Sequence, residues 1–348
     1  MRWLYLNVLI LVLLVGACVS NSPSTSPKPA PVAPRPCARA PEPTTPSKKP
    51  DVAPIKKDEL PLALKARAVD DRVRKLCFLD GELRWEVRAL DQWLRREKSL
   101  KYQGYFFAAD SDWTQPTSTY SEEVKKQVRP LVRPFREDFS TVVCTEDFEK
   151  LGYDVIILGD VDIADSRWDP DYSQFLEDWV RKGGGLIFLC GQRHNPRSYS
   201  SDVALMRLMP VELADVLDLD RAVNTTVMKY YRLTESGNKV EMTKLLSDAP
   251  RARLFGEMRE TGFNIGELNG FYWHVPATKA KVGAHVLAEE SYPLDKREHG
   301  TPILVTMDVG EGRVLFVGVD ETFRMRETVG DFYFGRFWRN AIMHVARN

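Results

Sequence analysis

The chain has 348 residues, 43% of them hydrophobic, and its 49 basic and 49 acidic residues give no formal net charge. Setting aside the eight basic and four acidic residues before Leu60 leaves 41 basic against 45 acidic residues. This mildly negative balance argues against a nucleic-acid partner, for which a basic face would be expected. The five cysteines are scattered singly, which is not the pattern of a disulfide-rich domain.

Residues 1–18 have the pattern of a secretory signal, with Arg2 ahead of the apolar run Trp3–Val15. That run is shorter than the roughly 20 residues of a membrane-spanning helix, although an uncleaved anchor is the alternative interpretation. The order VGAC, which ends at Cys18, resembles the lipobox of bacterial lipoproteins. The resemblance implies a lipid on Cys18 that tethers the chain to a membrane. Val19 in the next position favours the outer membrane, with the chain facing the periplasm.

Residues 19–59 contain eleven of the 22 prolines and almost no large apolar residue. Such a segment cannot bury a core and favours extended, polyproline-like conformations. It predicts a disordered linker that acts as a stalk, in preference to a ligand for an aromatic groove. Residues 60–348 are long enough for one large α/β domain.

Within that domain, short apolar runs alternate with helical patterns. Lys75–Leu79 predicts a strand, and Trp85, Ala89 and Trp93 recur after it at helical spacing. The other predicted elements are strands at Tyr102–Ala108, Thr141–Cys144, Asp154–Leu158, Leu186–Cys190, Val282–Ala288, Pro302–Asp308 and Arg313–Val319, a helix beginning at Asp169-Pro170, and a closing helix at Phe332–Ala346. This alternation indicates an α/β fold with a mainly parallel sheet and helices on both faces. Residues 193–281 fit it poorly and predict a mixed α/β insertion that decorates the sheet.

Several runs resemble a known family. These runs are YDVIILGDVD, FLEDWVRKGGGLIFLCGQ and the C-terminal EGRVLFVGVDETFRMRETVGDFYFGRFWRNAIMHVA. They are similar to the glutamine amidotransferase-like domain found at the end of bacterial membrane proteins that carry a von Willebrand factor A module. The resemblance covers about residue 74 to the C-terminus and implies a class I amidotransferase fold with a flavodoxin-like sheet. A von Willebrand module is absent from this sequence, and the lipid tether takes the place of membrane-spanning segments.

The catalytic pattern of that family is incomplete here. A working class I amidotransferase carries its cysteine in a G-x-C-x-G elbow and a His with a Glu two residues on after a late strand. Phe188 and Gln192 occupy the two glycine positions around Cys190, and the late strand is followed by Asp320 without any histidine. His194 lies four residues after Cys190, the wrong place for that dyad. Because a thiolate needs a neighbouring base, the sequence favours a buried, non-catalytic thiol at Cys190.

Polar side chains follow the predicted strands. The carboxylates at or just beyond strand ends are Asp80, Asp110, Asp160 and Asp320, joined by Asp162, Gln192 and Glu321, with Arg84, Arg193, Arg324 and Arg326 nearby to balance them. The carboxyl edge of an open α/β sheet is where ligands bind, so these groups predict a polar pocket for a sugar, a peptide fragment or a hard divalent cation. The alternative is that the aspartates cap the helices and loops that follow.

Two functions follow from these patterns. The first is a non-catalytic, membrane-tethered binding module in the cell envelope, with an envelope protein or a small polar ligand as its partner. The second is a hydrolase, metal-assisted or not, that uses the strand-end carboxylates on carbohydrate or amide bonds. No cofactor is predicted, because the sequence has no H-E-x-x-H, C-x-x-C or Gly-rich phosphate loop. The aromatic run Phe271–Trp273 is expected to pack the insertion onto the sheet rather than to stack a ligand.

Overall fold

The computed structural model describes residues 72–108, 132–134, 151–165, 168, 171–215, 226–327 and 329–346. The strands in this part are β1 (Arg74–Asp80), β2 (Leu100–Phe106), β3 (Val132–Pro134), β4 (Val155–Leu158), β5 (Gly185–Leu189), β6 (Val211–Leu213), β7 (Tyr230–Leu233), β8 (Glu257–Arg259), β9 (Gly262–Asn264), β10 (Ala277–Ala280), β11 (Ala284–Ser291), β12 (Pro302–Val309) and β13 (Gly312–Val317). The α-helices are α1 (Trp85–Leu94), α2 (Tyr172–Arg181), α3 (Val203–Leu208), α4 (Glu235–Lys239), α5 (Arg251–Phe255) and α6 (Asp331–Val345).

Nine of these strands form one sheet in the order β3-β2-β1-β4-β5-β13-β12-β11-β7. The six strands from β3 to β13 run parallel to their neighbours. The pairs β13–β12, β12–β11 and β11–β7 are antiparallel, so a C-terminal hairpin extends the parallel sheet as expected. The prediction of an α/β fold with a mainly parallel sheet is confirmed.

The central strands are buried on both faces because their side chains alternate between two apolar clusters. In β1, Leu76 and Phe78 join one cluster, whereas Cys77 and Leu79 join the other. The first cluster contains the apolar faces of α1 and α6, and the second contains those of α2 and α3. The prediction of helices on both faces is therefore confirmed.

Part of the predicted insertion, residues 193–281, belongs to the main sheet. It contains short helices and two-stranded sheets, β6 with β10 and β8 with β9. Its strand β7, however, pairs with β11 and forms one edge of the main sheet. A four-residue strand carries too short a pattern to reveal that pairing.

Other predictions concern residues that the structure does not describe. They are the signal and lipid site at 1–18, the linker at 19–59, the strand at Thr141–Cys144 and the helix start at Asp169-Pro170. In the described part of the chain, no helix combines the length and the apolar character needed to cross a bilayer.

Candidate ligand site at the carboxyl edge of the sheet

The direction of the crossover connections changes between β1 and β4. Helix α1 leads from β1 to β2 on one side, and α2 leads from β4 to β5 on the other. Ligands of open α/β sheets bind at such a point. Here the loops close it: a Cβ atom on Gly159 would lie 1.8 Å from Oδ2 of Asp80, and one on Gly191 would lie 2.3 Å from Cγ of Asp160. The crevice is therefore filled by the protein's own carboxylates.

Arg84 connects the carboxylates that follow two distant strands. Its Nη2 donates to Oδ2 of Asp80 at 2.8 Å, and its Nη1 donates to Oδ1 of Asp320. The same guanidinium donates to the carbonyl oxygens of Leu189 at 3.1 Å and Cys190 at 2.9 Å. Asp80 is fully buried and the Arg84 side chain is 11% exposed. This desolvated network joins the loops after β1, β5 and β13.

Asp160 has a different role from the predicted ligand contact. It is 1% exposed, and its carboxylate accepts three backbone N–H groups. Oδ1 accepts from His194 and Asn195, both at 2.7 Å, and Oδ2 accepts from Arg193 at 3.1 Å. Asp80 likewise accepts from the backbone N–H of Glu82 at 3.0 Å. Both carboxylates hold loops, as the capping alternative predicted.

A cavity of about 430 Å³ lies beside this network, over the loops that follow β1, β5 and β13. Its lining residues are Leu83, Arg84, Trp85, Arg88, Gln192, Asp320, Glu321, Phe323 and Arg324. Five of the predicted site residues, Arg84, Gln192, Asp320, Glu321 and Arg324, are thus brought together. The volume falls in the range of about 300–1,000 Å³ that is typical of small-molecule sites.

Trp85 is the cavity residue whose exposure does not follow from its helical spacing. The helical spacing groups it with Ala89 and Trp93, which are buried, but its side chain is 68% exposed. It lies in the first turn of α1, where the guanidinium of Arg88 is 5.5 Å from the centre of its ring. Helical periodicity does not predict that this large indole is exposed next to a cavity.

Asp320 forms the acidic floor of the cavity. It is 8% exposed, and burial, opposed by Arg84 and reinforced by Glu86, raises the pKa of its carboxyl to about 7. Burial also raises the pKa of Glu86, which accepts hydrogen bonds from the Thr322 hydroxyl and from the Phe323 N–H at 3.1 Å. Asp320 is therefore poised between its two protonation states near neutral pH.

Glu321 and Arg324 form the rim of the cavity. Glu321 accepts from the backbone N–H groups of Tyr272 and Trp273, the latter at 3.0 Å. Arg324 forms ion pairs with Glu321 at 3.2 Å and with Glu327 at 2.9 Å, and its guanidinium lies 4.9 Å from the ring centre of Tyr272. These contacts join residues 272–273 of the insertion to the edge of the sheet.

The remaining predicted residues lie away from this cavity. Asp162 accepts from the N–H of Ala164 at 3.0 Å and lies 3.8 Å from Nδ1 of His194. Arg193 forms an ion pair with Glu82 at 3.2 Å, and Arg326 forms one with Asp331 at 2.6 Å. Asp110 is outside the described residues. In the aromatic run, Phe271 is fully buried in the core, in keeping with a packing role.

Cys190 is enclosed behind the Arg84 network. Its side chain is fully buried in the cluster of α2 and α3, and its thiol lies 3.8 Å from Oδ1 of Asn195. Burial raises the pKa of the Cys190 thiol well above its usual value, and the charges that act on it are those of Arg84, Asp160 and Asp320. A thiol in this environment stays protonated at neutral pH and is a poor nucleophile.

We expect Cys190 to resist alkylation in the native full-length chain. Incubation with N-ethylmaleimide at pH 7.5, followed by peptide mass spectrometry, should leave Cys190 and the equally buried Cys77 unmodified. The same treatment in denaturant should modify both. Rapid native labelling of Cys190 with protection of Cys77 would instead reveal an accessible, activated thiol.

Among the residues that the structure describes, no group of three or more His, Cys, Asp or Glu side chains is arranged to hold a metal ion. The paired strand-end carboxylates are held instead by Arg84 and by backbone N–H groups. The cation that balances Asp80 and Asp320 is thus part of the protein.

No family model matches the chain, and no curated protein does. The solved structures to which the chain is similar include Cytoplasmic Protein STM1381 from Salmonella typhimurium LT2, 17% identical over 78% of this chain and 100% of that one, with a TM-score of 0.47. Cytoplasmic Protein STM3548 from Salmonella typhimurium is 13% identical over 79% and 100%, with a TM-score of 0.46. The exo-beta-1,4-mannosidase Op5Man5 from Opitutaceae bacterium strain TAV5 is 13% identical over 80% of this chain but 37% of that one, with a TM-score of 0.37. Similarities this distant carry no argument about activity.

Proposed function

We propose that the folded part of this chain is a non-catalytic binding module whose ligand occupies the cavity next to Asp320. The observation that carries the proposal is the contrast between two groups at the same sheet edge. Asp320 and the exposed Trp85 line an open cavity, whereas Cys190, the one candidate nucleophile of the family resemblance, is sealed behind Arg84. This contrast supports a site that holds a small polar molecule without covalent chemistry at Cys190.

The proposal is tested by thermal denaturation of the full-length chain against a panel of divalent cations, glutamine and sugars. A ligand of the cavity should raise the midpoint of the wild type, because binding to the native state alone stabilises it. The Trp85→Ala and Asp320→Asn variants should lose that shift, and Phe332→Ala, which removes an exposed aromatic outside the cavity, should keep it. A shift that survives both cavity variants would place the ligand elsewhere, and a panel without shifts would favour a protein partner.

The amidotransferase-like family and its flavodoxin-like sheet remain part of the proposal. Without the three-residue edge strand β3, the parallel strands have the order β2-β1-β4-β5-β13. This corresponds to the order 2-1-3-4-5 of flavodoxin-like sheets and supports the assignment. The elbow glycines and the base after the late strand are missing, so the resemblance supports a fold and no glutaminase activity.

We also propose that the chain is a lipoprotein of the cell envelope, tethered through Cys18 and lifted off the membrane by residues 19–59. The support is the signal-like sequence VGAC and the proline-rich stretch that follows. In a bacterial host, the wild type should sediment with membranes and incorporate radiolabelled palmitate, and Cys18→Ser should do neither. Equal labelling of the two chains would contradict the tether.

Hydrolysis is the second candidate, and the raised pKa of Asp320 favours it. A carboxyl that titrates near pH 7 in a cavity has the value that a general acid needs. The neighbouring carboxylate is already engaged, because Glu321 accepts from two backbone N–H groups and from Arg324. Glu321 is therefore not available as the second acid or base that would act together with Asp320. Cleavage of chromogenic glycosides or anilides by the wild type, lost in Asp320→Asn, would establish this function.

A further inference from the structure

The floor of the cavity offers one carboxylate oxygen to a ligand. Asp320 uses Oδ1 to bind Arg84, and its Oδ2 accepts no hydrogen bond from the residues that the structure describes. The residue is more than nine-tenths buried, yet it lines the cavity. This oxygen is not among the buried polar atoms that lack a partner, so it is open to the cavity and a donor group of a bound molecule can reach it.

Two of the three arginines that line the cavity are paired with carboxylates of the protein, and the guanidinium of the third, Arg88, lies 5.5 Å from the centre of the Trp85 ring. Arg84 is paired with Asp80 and Asp320, and Arg324 is paired with Glu321 and Glu327. A strongly anionic ligand would approach the Asp320 carboxylate, and a cationic ligand would compete with Arg84 for it. Either would disturb a desolvated ion pair, at a cost of several kcal/mol. These ion pairs favour a neutral molecule that binds through hydroxyl groups.

Trp85 supplies a flat apolar surface at the same cavity. Trp85 is 68% exposed, and Leu83, which lines the same cavity, is 39% exposed. The face of an indole carries negative quadrupole charge and attracts the weakly positive C–H groups of a sugar ring. Gln192 adds an exposed amide that can both donate and accept. Apolar stacking combined with hydroxyl-binding groups is the chemistry that recognises a pyranose ring.

We propose that the cavity binds a neutral saccharide, with a sugar ring against Trp85 and a hydroxyl that donates to Oδ2 of Asp320. This inference rests on the proposed function, since it names the ligand class of that site. The volume of about 430 Å³ is sufficient for a ligand of one or two sugar rings.

The experiment is saturation-transfer NMR and titration calorimetry of the full-length chain in a detergent without a sugar headgroup. The neutral probes are glucose, cellobiose and N,N′-diacetylchitobiose, and the charged counterparts of glucose are glucuronate and glucosamine. We expect at least one neutral probe to bind and glucose to bind no more weakly than its charged counterparts. Trp85→Ala should weaken binding about tenfold or more through loss of stacking. Asp320→Asn should weaken it several-fold, and Phe332→Ala should leave it unchanged.

The outcomes separate the two proposals. If no neutral sugar binds while another member of the thermal panel gives a shift that depends on Trp85, the saccharide is overturned and the binding site stands. Preferential binding of glucuronate or glucosamine overturns the neutral class. Sugar binding that is unchanged in both Trp85→Ala and Asp320→Asn places the sugar elsewhere. If nothing in either panel depends on these residues, both proposals fail.

Discussion

Arg84→Ala is expected to lower the free energy of unfolding by about 3–5 kcal/mol at pH 7.5. The reason is that Asp80 and Asp320, whose side chains are 0% and 8% exposed, would then be either charged without a cation or protonated at a pH that favours ionisation in the unfolded chain. The carbonyl oxygens of Leu189 and Cys190 would lose their donor as well. Urea denaturation followed by circular dichroism measures the change.

Two matched variants on the same helix decide whether this loss is specific. Arg88→Ala removes an exposed guanidinium one turn along and should change the stability by about 0.5 kcal/mol or less. Arg84→Lys keeps the charge but loses the fork that reaches both carboxylates, so its loss should lie between the other two. A loss below about 1 kcal/mol for Arg84→Ala would show that the ion pairs contribute little to folding.

The same network sets a pH dependence. The pKa of Asp320 is about 7 in the folded chain, above its unfolded value of about 3.9. Stability from this group is therefore complete below about pH 4 and is lost as the pH rises through 7. Burial raises the pKa of Asp80 too, so its effect has the same sign. Without Arg84 these carboxylates are harder to ionise, and the loss caused by Arg84→Ala should be smaller at pH 5 than at pH 8.

Asp320→Asn isolates the part of this effect that belongs to Asp320. An amide cannot ionise, so the variant should lack the decline of about 2 kcal/mol between pH 5 and pH 8 that Asp320 causes in the wild type. Comparing wild type and variant at each pH removes the contributions of the other carboxyl groups. Parallel pH profiles of the two chains would contradict the raised pKa.

The sequence predicts the strands and the strand-end carboxylates of this site better than the contacts between them. Each central strand is a local apolar run, and the carboxylates at its end are read from the next few residues. Arg84 bridges Asp80 and Asp320, and Asp320 is 236 residues away from Arg84 in the sequence. This contact depends on the order of the strands in the sheet. No pattern near Arg84 contains that order, although the sequence does place Arg84 near enough to balance the strand-end carboxylates.

Trp85 shows the limit of helical periodicity at the end of a helix. Its spacing from Ala89 and Trp93 is correct for one face, and its neighbours Glu86 and Val87 are fully buried, yet its own side chain lies at the cavity. The core covers Ala89 and Trp93, which are 3% and 7% exposed, and leaves Trp85 at 68%. Helical periodicity assigns a residue to a face of the helix and carries no information on where the cover of that face ends.

Asp160→Ala is expected to cost about 3 kcal/mol or more, because it leaves the N–H groups of Arg193, His194 and Asn195 without their acceptor. Asp160→Asn keeps one oxygen, which can serve the two N–H groups that share Oδ1, and should cost less. Asp162→Ala is the matched control, since that carboxylate accepts an exposed N–H two residues along and its loss should cost about 0.5 kcal/mol or less.

Hydrogen exchange distinguishes a local effect of Asp160 on the loop at residues 193–195 from an effect on the stability of the whole fold. In Asp160→Ala, the amides of residues 193–195 should exchange faster than those of β4 and β5, because the loop opens locally. Gln192 begins this loop and lines the cavity. The variant should therefore also weaken the binding of any ligand that depends on Trp85. Uniform acceleration across the sheet would assign Asp160 to global stability alone. Local acceleration would make this buried aspartate a positioning residue, which acts on the site through the loop it fixes.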